Sequence, residues 1–264
     1  MATDSDSAGD PVGLQLTAGH ATITLNKPDV LNALDKTMVE QVHAALDACS
    51  DARVVVLRGS GRGFSAGRDL SNASPLDEDA RAILADLFNP LVARVRTLPM
   101  PTIAAVHGAS LGVGFGLAMA CDMIVAAETS RLGSPFNKIG CVLDSGGHAA
   151  LVKRVGPHRA LELIYTGRLL TGSEAFAMGL VNQVLADDEL ATRVDELAAS
   201  IAAGPTAAFA ASKRIVHAIS DHELHFSASL DAEANAQGEL AGGADYVEGI
   251  SAFMEKRTPT FTGE

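Results

Sequence analysis

The chain has 264 residues, with 32 acidic and 20 basic side chains, and its net charge of −12 disfavours nucleic acid and anionic membranes as general partners. Its hydrophobic content of 47% is enough for a substantial core, which Ala, Val, Leu and Ile must form because tryptophan is absent and aromatic residues make up only 4%. The three cysteines, Cys49, Cys121 and Cys141, show no CxxC or His-paired spacing, which predicts reduced thiols and no metal site.

The first ten residues, MATDSDSAGD, are predicted to be a disordered tail, because they are acidic and rich in small side chains. They lack the basic and apolar regions of a signal peptide. The longest apolar run, LAMACDMIVAA, is interrupted by Asp122 and is shorter than the roughly 18 residues of a membrane span. We therefore expect a cytoplasmic protein that makes no membrane contact.

Short apolar runs alternate with helical patterns up to about residue 204. Asp35 is placed to N-cap a helix with one apolar face, and a second helix is predicted over residues 77–95 with a kink at Pro90. A capping box begins at Thr171, and Gly179 is expected to end the short helix that follows. Such alternation predicts an α/β core with a largely parallel sheet. The six predicted strands are VGLQL, ATITLN, RVVVLRG, PTIAAVHG, MIVAAE and LVNQVL.

After about Pro205 the pattern changes to helices alone. We therefore divide the chain into a tail (residues 1–10), a core (residues 11–204) and a C-terminal helical region (residues 205–264). A helical region of this kind either covers the core or packs against another subunit.

Two glycine-rich loops follow two of the predicted strands. RVVVLRG leads into SGRGFSAGRDL, and PTIAAVHG leads into ASLGVGFGLAMA. Glycines at such junctions let main-chain N–H groups approach a ligand, and helix N-termini favour negative charge. Two neighbouring loops can aim two N–H donors at one oxygen, which is the geometry of an oxyanion hole. The alternative is that these glycines only permit tight turns.

The second loop also matches G-x-S-x-G, the turn that presents a serine nucleophile in many hydrolases. A triad of Ser110, Asp144 and His148 would complete such a site, since Asp144 and His148 are four residues apart and share a helix face. That arrangement crowds the last two members into one turn, so we disfavour a serine hydrolase.

Five separated blocks of the sequence share one order and spacing with a known family. The blocks are NKPDVLNALD (26–35), GRGFSAGRDL (61–70), HGASLGVGFGLAMACD (107–122), LTGSEAFAMGLV (170–181) and GISAFMEKRTPTF (249–261). They resemble the crotonase superfamily, the enoyl-CoA hydratase/isomerase family of acyl-CoA enzymes, from about residue 12 to the C-terminus. The resemblance implies a spiral of ββα units with a C-terminal helical trimerisation region, and trimers or dimers of trimers.

In that family two backbone N–H groups stabilise a thioester enolate, and by motif position they belong here to Arg68 and Val113. Coenzyme A is then part of the substrate, and no permanently bound cofactor is implied. Lys27, Arg62, Arg68 and Lys256 would supply local positive charge for its phosphates, unless they are solvated surface charges. The resemblance places CoA against Lys27, Val30, Leu31, Ala66, Asp69, Leu70, Phe253 and Lys256, the last two from a segment that often closes a neighbouring subunit's site.

The family's hydratases use two glutamates, and this sequence has Gly116 and Phe136 at those positions. Neither residue can transfer a proton, which disfavours a hydratase of the usual kind. In some members an aspartate at the position of Asp144 serves as acid/base or nucleophile. Val142, Leu143 and Phe136 would desolvate its carboxyl partly and raise its pKa, which suits proton transfer. Locally, Asp144 is equally suited to N-cap the following helix.

The FNPLV segment, the PFNKIG-x3-D-x-GG motif and the ending ADYVEGISAFMEKR-x-P-x-FTG resemble a subgroup of ring 1,2-epoxyphenylacetyl-CoA isomerases of bacterial phenylacetate degradation. This resemblance implies an acyl-CoA isomerase acting on 1,2-epoxyphenylacetyl-CoA or a 3-enoyl-CoA, in aromatic or lipid metabolism. A hydratase using Asp144 and a non-catalytic acyl-CoA-binding protein remain alternatives. The acyl pocket is predicted to be lined by Leu84, Phe88, Phe136 and Leu143, although such residues also form plain core.

Overall fold

The computed structural model describes residues 3–4, 9–17, 19–74 and 76–264. Its strands are β1 (Thr3–Asp4), β2 (Val12–Thr17), β3 (His20–Leu25), β4 (Val54–Gly59), β5 (Gly63–Ser65), β6 (Thr102–Val106), β7 (Ala109–Leu111), β8 (Met123–Ala127), β9 (Arg131–Gly133) and β10 (Gln183–Leu185). Its helices are α1 (Lys36–Ala48), α2 (Ala80–Ala82), α3 (Asn89–Thr97), α4 (Val113–Ala120), α5 (Gly147–Thr166), α6 (Gly172–Ala177), α7 (Leu190–Ala202), α8 (Thr206–Ser220), α9 (Phe226–Leu240) and α10 (Ala244–Glu255).

The strands form two sheets, and from β4 onwards the chain alternates between them. The larger sheet has the order β1-β2-β3-β4-β6-β8-β10, and its pairs from β3 to β10 are parallel. The smaller sheet has the parallel order β5-β7-β9. Each turn of the chain therefore adds one strand to each sheet. All six predicted strands are present, and the predicted α/β spiral with a largely parallel sheet is confirmed.

Both faces of the larger sheet are buried in its centre. Along β4, Val55 and Leu57 belong to the main core with α1, α3 and α4, whereas Val54 and Val56 belong to a second core under α7. Side chains on a strand alternate between faces, so an unbroken apolar run such as VVVL fits a strand covered on both sides.

The predicted helix signals are confirmed with one difference. The Asp35 carboxylate accepts the Met38 N–H at 2.8 Å, and Thr171 forms the capping box of α6. The kink predicted at Pro90 takes the form of a π-helical turn over Ile83–Phe88, just before α3. Pro90 lacks an N–H, and its ring would clash with the carbonyl four residues earlier in a regular helix, which the wider turn avoids.

The C-terminal region after Pro205 contains α8, α9 and α10 and no strand, as predicted. Arg53 ties it to the core by donating to the Thr206 hydroxyl at 3.0 Å and to the Phe261 carbonyl at 3.1 Å. In the described part of the chain no helix is long and apolar enough to cross a membrane. Of the expected disordered tail, residues 1–2 and 5–8 lie outside the described residues, while Thr3–Asp4 pair with β2; the tail stays a prediction.

Candidate active site

The two glycine loops lie side by side because the strands that precede them are neighbours. β5 and β7 pair in parallel within the smaller sheet, with Ser65 opposite Ser110. Past these strands, a Cβ on Gly67 would lie 2.7 Å from the carbonyl oxygen of Leu111. Gly67 also has φ of +93°, so both its backbone conformation and its close approach to the other loop require glycine.

The two predicted oxyanion donors, Arg68 and Val113, have no hydrogen-bond acceptor for their N–H groups within the described residues. Leu34 donates to the Gly67 carbonyl at 2.7 Å and accepts from Asp69 N–H at 2.9 Å. The Arg68 N–H lies between these two bonds and takes no part in the pairing of this segment with Leu34. Val113 is the first residue of α4, where N–H groups have no partner inside the helix. The loops thus present two unused donors, as the oxyanion-hole prediction requires.

Buried polar side chains hold the first loop in place. The Ser65 hydroxyl donates to the Asn32 carbonyl at 2.8 Å and accepts the Gly67 N–H at 3.2 Å. The Asn32 amide is fully buried and donates to the carbonyls of Ser60 and Gly63 at 2.9 and 2.7 Å. Sequence reasoning missed the role of Asn32. The available signal was an asparagine between leucine and alanine in NKPDVLNALD, where a polar side chain needs partners if it is buried.

Ser110 is a structural residue and not a nucleophile in this arrangement. It is 0% exposed, and its hydroxyl donates to the Gly114 carbonyl at 3.4 Å. His148 is exposed, and no hydrogen bond joins it to Ser110 within the described residues. The structure therefore gives no support to the serine hydrolase alternative.

Asp144 does not cap α5, so that local alternative is wrong. The N-cap residue of α5 is Gly146, and it makes no side-chain cap. The Oδ1 atom of Asp144 is buried without a hydrogen-bond partner among the described residues. Burial raises the pKa of this carboxyl, and the neighbouring Ser145 hydroxyl and His148 oppose the rise only partly. Leu143 is buried beside it, but Val142 is 71% exposed and cannot desolvate it as expected. One oxygen of this half-buried side chain is therefore enclosed and its ionised form is disfavoured, which suits the predicted acid/base role.

The segment that carries Asp144 packs on the first turn of α4. A Cβ on Gly112 would lie 3.2 Å from the ring of Phe136. One turn further on, a Cβ on Gly116 would lie 2.3 Å from the carbonyl oxygen of Ser145, so position 116 excludes any side chain in this backbone arrangement. Phe136 and Ser145 therefore bracket the turn that begins at the Val113 donor. This places Asp144 beside that turn.

The predicted CoA residues from the two N-terminal blocks come together. Leu31 accepts the Ala66 N–H at 2.8 Å, which joins the 27–34 segment to the oxyanion loop that continues into Asp69 and Leu70. Val30 and Leu70 are both exposed at this edge, as ligand contacts should be. Lys27 forms a hydrogen-bonded ion pair with Asp35.

Phe253 and Lys256 lie apart on the end of α10. Phe253 is 85% exposed, so this chain alone does not pack it into a site.

Arg68 is also held by an ion pair that was not anticipated. Its guanidinium lies 2.7 Å from the carboxylate of Glu78, just before α2. The Arg68 side chain is therefore not free to neutralise a CoA phosphate unless this pair opens. Arg62 and Lys256 have no ion pair within the described residues, and they are the more available cations.

Two of the four predicted acyl-pocket residues line a cavity, and each of these two lines a different one. Phe88 lines a cavity of about 330 Å³ next to Arg68 and Glu78. Leu143 lines a much smaller apolar cavity of about 20 Å³ that also contacts Phe115. Leu84 and Phe136 are half-buried and line neither cavity. The larger cavity is the better candidate for an acyl group, because it opens beside the Arg68 donor.

Known proteins share this sequence and fold over nearly the whole chain. The model of the enoyl-CoA hydratase/isomerase family matches residues 15–264. A probable enoyl-CoA hydratase from Rhodobacter capsulatus is 39% identical over 94% of this chain and 96% of its own length. The 1,2-epoxyphenylacetyl-CoA isomerase of Escherichia coli is 35% identical over 93% of this chain and 96% of its own. The crystal structure of an enoyl-CoA hydratase from Bacillus anthracis superimposes with a TM-score of 0.91 at 31% identity, covering 97% of this chain and 100% of that one.

Proposed function

Because the chain belongs to the enoyl-CoA hydratase/isomerase family, we propose that it is an acyl-CoA isomerase in which Asp144 is the sole acid and base. The observation that carries the proposal is the number of carboxylates near the oxyanion loop: of positions 116, 136 and 144, only position 144 has one. Position 116 has no space for a side chain, position 136 is phenylalanine, and Asp144 is a half-buried carboxyl with one enclosed oxygen and a raised pKa. One carboxyl suits a reaction that moves one proton and adds no water.

The residues perform the two halves of this reaction in turn. The carboxylate of Asp144 removes a proton from the carbon next to the thioester, and the electron pair moves onto the thioester oxygen. The N–H groups of Arg68 and Val113 stabilise that oxyanion, each by on the order of 3 kcal/mol. The protonated Asp144 then returns the proton two carbons further along, and the double bond ends in conjugation with the thioester.

The raised pKa of Asp144 assists both steps. A carboxylate of ordinary pKa is a weak base towards carbon, and burial makes this one more basic. A catalytic pKa nearer the working pH gives the most effective proton transfer.

We propose 1,2-epoxyphenylacetyl-CoA or a 3-enoyl-CoA as the substrate. The 35% identity to the E. coli 1,2-epoxyphenylacetyl-CoA isomerase supports the first. The proton shift between carbons that Asp144 can perform supports the second. Phenylacetate catabolism or lipid metabolism is the corresponding setting, and a trimer or dimer of trimers, with Phe253 and Lys256 closing a neighbour's CoA site, is the corresponding assembly.

The test is turnover of 3-enoyl-CoA, 2-enoyl-CoA and 1,2-epoxyphenylacetyl-CoA by the purified protein and by Asp144→Asn. We expect isomerisation by the wild type and a fall in kcat of about 10²- to 10⁴-fold in the variant. The dissociation constant for a CoA thioester should be unchanged, because Asp144 contacts none of the CoA segment. Asp231→Asn, on exposed α9, is the matched control and should keep the wild-type rate. Isomerisation by Asp144→Asn at the wild-type rate would show that the mechanism is wrong.

Hydration of an unusual 2-enoyl-CoA is the second candidate, because relatives such as the one from R. capsulatus are named as hydratases. Asp144 would then activate a water molecule. Formation of a 3-hydroxyacyl-CoA from 2-enoyl-CoA, without isomerisation of the 3-enoyl-CoA, would favour it. Tight thioester binding with no turnover of any of the three compounds would instead indicate a non-catalytic binding protein.

A further inference from the structure

A third cavity, of about 310 Å³, lies beyond the Asp144 segment and is rich in positive charge. It lies between α3, α4, α5 and the end of α8. Its charged lining is Arg96, Lys153, Arg154 and Asp221. The chain as a whole has a net charge of −12, so a pocket in which cations predominate is an exception to its surface. Such a pocket attracts anions.

The carboxylate of Asp221 cannot neutralise this lining. Arg96 donates to both oxygens of Asp221 at 3.0 and 2.9 Å, and Lys153 forms an ion pair with the same carboxylate. Two cations therefore share one anion. The neighbouring Asp122 is already engaged by Lys213 at 2.8 Å, on the adjoining helix α8.

Arg154 is the cation without a counterion. Its guanidinium donates to the Met119 carbonyl at 3.4 Å and contacts the Met119 sulfur, and within the described residues no carboxylate pairs with it. Burial, together with the charge of Arg96, lowers the pKa of Arg154. A partly buried guanidinium with no counterion is costly, and an anion in the cavity would remove that cost.

A buried hydroxyl adds a second, independent sign of a polar ligand. Ser145 is 3% exposed and lines the cavity, and its Oγ makes no hydrogen bond of regular geometry among the described residues. The carboxyl of Asp144, whose pKa burial raises, is the nearest polar group, and Ser145 offsets part of that rise. Buried hydroxyls are otherwise hydrogen-bonded in most proteins. Ser145 also directly follows Asp144, so an occupied cavity would contact the segment that carries the proposed acid/base.

From these contacts we infer that the cavity binds a carboxylate, held by the Arg154 guanidinium and the Ser145 hydroxyl. A carboxylate accepts two hydrogen bonds from one guanidinium, and these charge-assisted bonds are among the strongest in proteins. The carboxylate is either a free anion or the far end of the acyl group itself. The second source rests on the proposed function.

The wall of the cavity nearest Asp144 is formed by Gly116, Ser145 and Gly146. Because Gly116 lies against the Ser145 carbonyl, an acyl chain coming from the oxyanion loops would have to displace this contact to bring a distal carboxylate into the cavity. A free anion needs no such movement.

The experiment has two arms with the same variants. In the first, binding of free glutarate is measured by calorimetry and by the rise in Tm. In the second, kcat/KM is compared between a 3-enoyl-CoA that ends in a carboxylate and an uncharged one of equal length. Arg154→Met keeps the apolar contact with Met119 and removes the charge. Arg159→Met, on the exposed side of α5, is the matched control.

We expect Arg154→Met to weaken carboxylate binding, or the preference for the charged substrate, by about tenfold or more, because a hydrogen bond to a charged group is lost. Arg159→Met should behave as the wild type. Asp221→Asn should have the opposite effect and strengthen carboxylate binding, since it leaves Arg96 and Lys153 without their shared anion. A purely structural role for these residues predicts no such gain.

The arms separate the two sources of the carboxylate. A substrate preference that Arg154→Met removes identifies the acyl group as the source. Glutarate binding that Arg154→Met removes, without a substrate preference, identifies a separate anion site. If no thioester is turned over, the proposed isomerase activity fails, yet the glutarate arm and calorimetry with the charged thioester still test the pocket. Wild-type behaviour of Arg154→Met in both arms overturns the inference.

Discussion

At position 144 the protein keeps a carboxylate whose ionised form is disfavoured by its surroundings. Burial raises its pKa above the ordinary value, so the folded state binds a proton at pH values where the unfolded chain has already released it. The stability of the fold therefore decreases as the pH rises from the unfolded pKa through the folded one. At neutral pH this carboxylate destabilises the protein, as strained catalytic groups often do.

Asp144→Asn should consequently raise the Tm at pH 7, because an amide needs no ionisation in the same buried space. The difference from the wild type should shrink as the pH falls through the raised folded pKa and should vanish only well below about 3.9, where the carboxyl is protonated in the unfolded state as well. Thermal unfolding followed by circular dichroism at several pH values measures this. A lower Tm for the variant at pH 7 would contradict the assignment.

The raised pKa of Asp144 also predicts how the activity falls at acidic pH. As the base in the first step, Asp144 must be ionised, so kcat/KM falls as the pH drops through its folded pKa. Because that pKa is raised, the fall should begin at a higher pH than for an ordinary aspartate. Initial rates between pH 4 and 8 check this, after the protein is shown to remain folded over that range. A rate that stays flat down to the ordinary pKa of aspartate would refute it.

Gly116 gives a second residue-level prediction, because its close contact with the Ser145 carbonyl leaves no space for a Cβ. Gly116→Ala should lower the free energy of unfolding by about 1–3 kcal/mol, as overpacked sites do. Gly238 is the matched control: it also lies inside a helix, with no neighbouring atom within 4 Å of a Cβ. Gly238→Ala should raise stability by about 0.5–1 kcal/mol through helix propensity. Urea denaturation compares the two, and equal effects would contradict the packing argument.

At the scale of elements, α1 and its N-cap connect the fold to the CoA segment. Asp35 caps α1 and pairs with Lys27, the first predicted CoA residue. Burial pushes the pKa of Asp35 up, but the hydrogen bonds from Lys27 and the Met38 N–H outweigh it and lower the pKa overall. Its stabilisation is therefore present above the unfolded pKa and is lost as the pH falls through the folded pKa.

Asp35→Ala should destabilise the protein by about 1 kcal/mol at pH 7, the usual effect of losing an N-cap. The deficit should persist at pH 4 and diminish only below it, as the pH falls through the lowered pKa of the folded-state carboxyl. Glu40→Ala in the same helix removes only an exposed pair with Lys36 at 3.7 Å and should cost about 0.2–0.5 kcal/mol. Denaturant unfolding at pH 7 and at several pH values below about 4 measures both variants. A pH-independent effect of Asp35→Ala would show that the cap is not the cause.

At the scale of the whole molecule, the C-terminal helices leave large apolar side chains uncovered. Phe226 in α9 and Phe253 and Met254 in α10 are among the most exposed residues of the described chain. Exposed apolar side chains that form one patch usually mark an interface. It is consistent with the proposed assembly, in which α10 contacts a neighbouring subunit.

Phe253→Asp should therefore reduce the oligomer to smaller species. Light scattering coupled to gel filtration should give three or six times the mass of one chain for the wild type and a lower multiple for the variant. Leu76→Asp, at another fully exposed apolar position, is the control and should leave the mass unchanged. A wild-type protein that elutes as a monomer would refute the assembly.

Much of the fold and of the oxyanion hole follows from local sequence. The apolar runs of β4 and β6 predict central parallel strands, and the glycines after them predict turns that expose N–H groups, because strand length and glycine conformation are local properties. The motif positions of Arg68 and Val113 predict the oxyanion donors, and the structure leaves both N–H groups without an acceptor in the described part of the chain. The helix caps at Asp35 and Thr171 are likewise predictable from local sequence, because a cap side chain accepts the N–H of a residue only three positions away.

The remaining features depend on contacts between distant parts of the chain. Only the tertiary structure shows that Gly116 touches Ser145 and that Asn32 holds the loop around Ser65. The sequence by itself determined the family, the order of strands and helices, and the candidate residues for the chemistry: an aspartate, and two backbone donors in glycine loops. The tertiary structure decided which of them are buried, which are paired, and where the positive charge of α3 and α5 collects, because burial and pairing arise only when elements remote in sequence pack together.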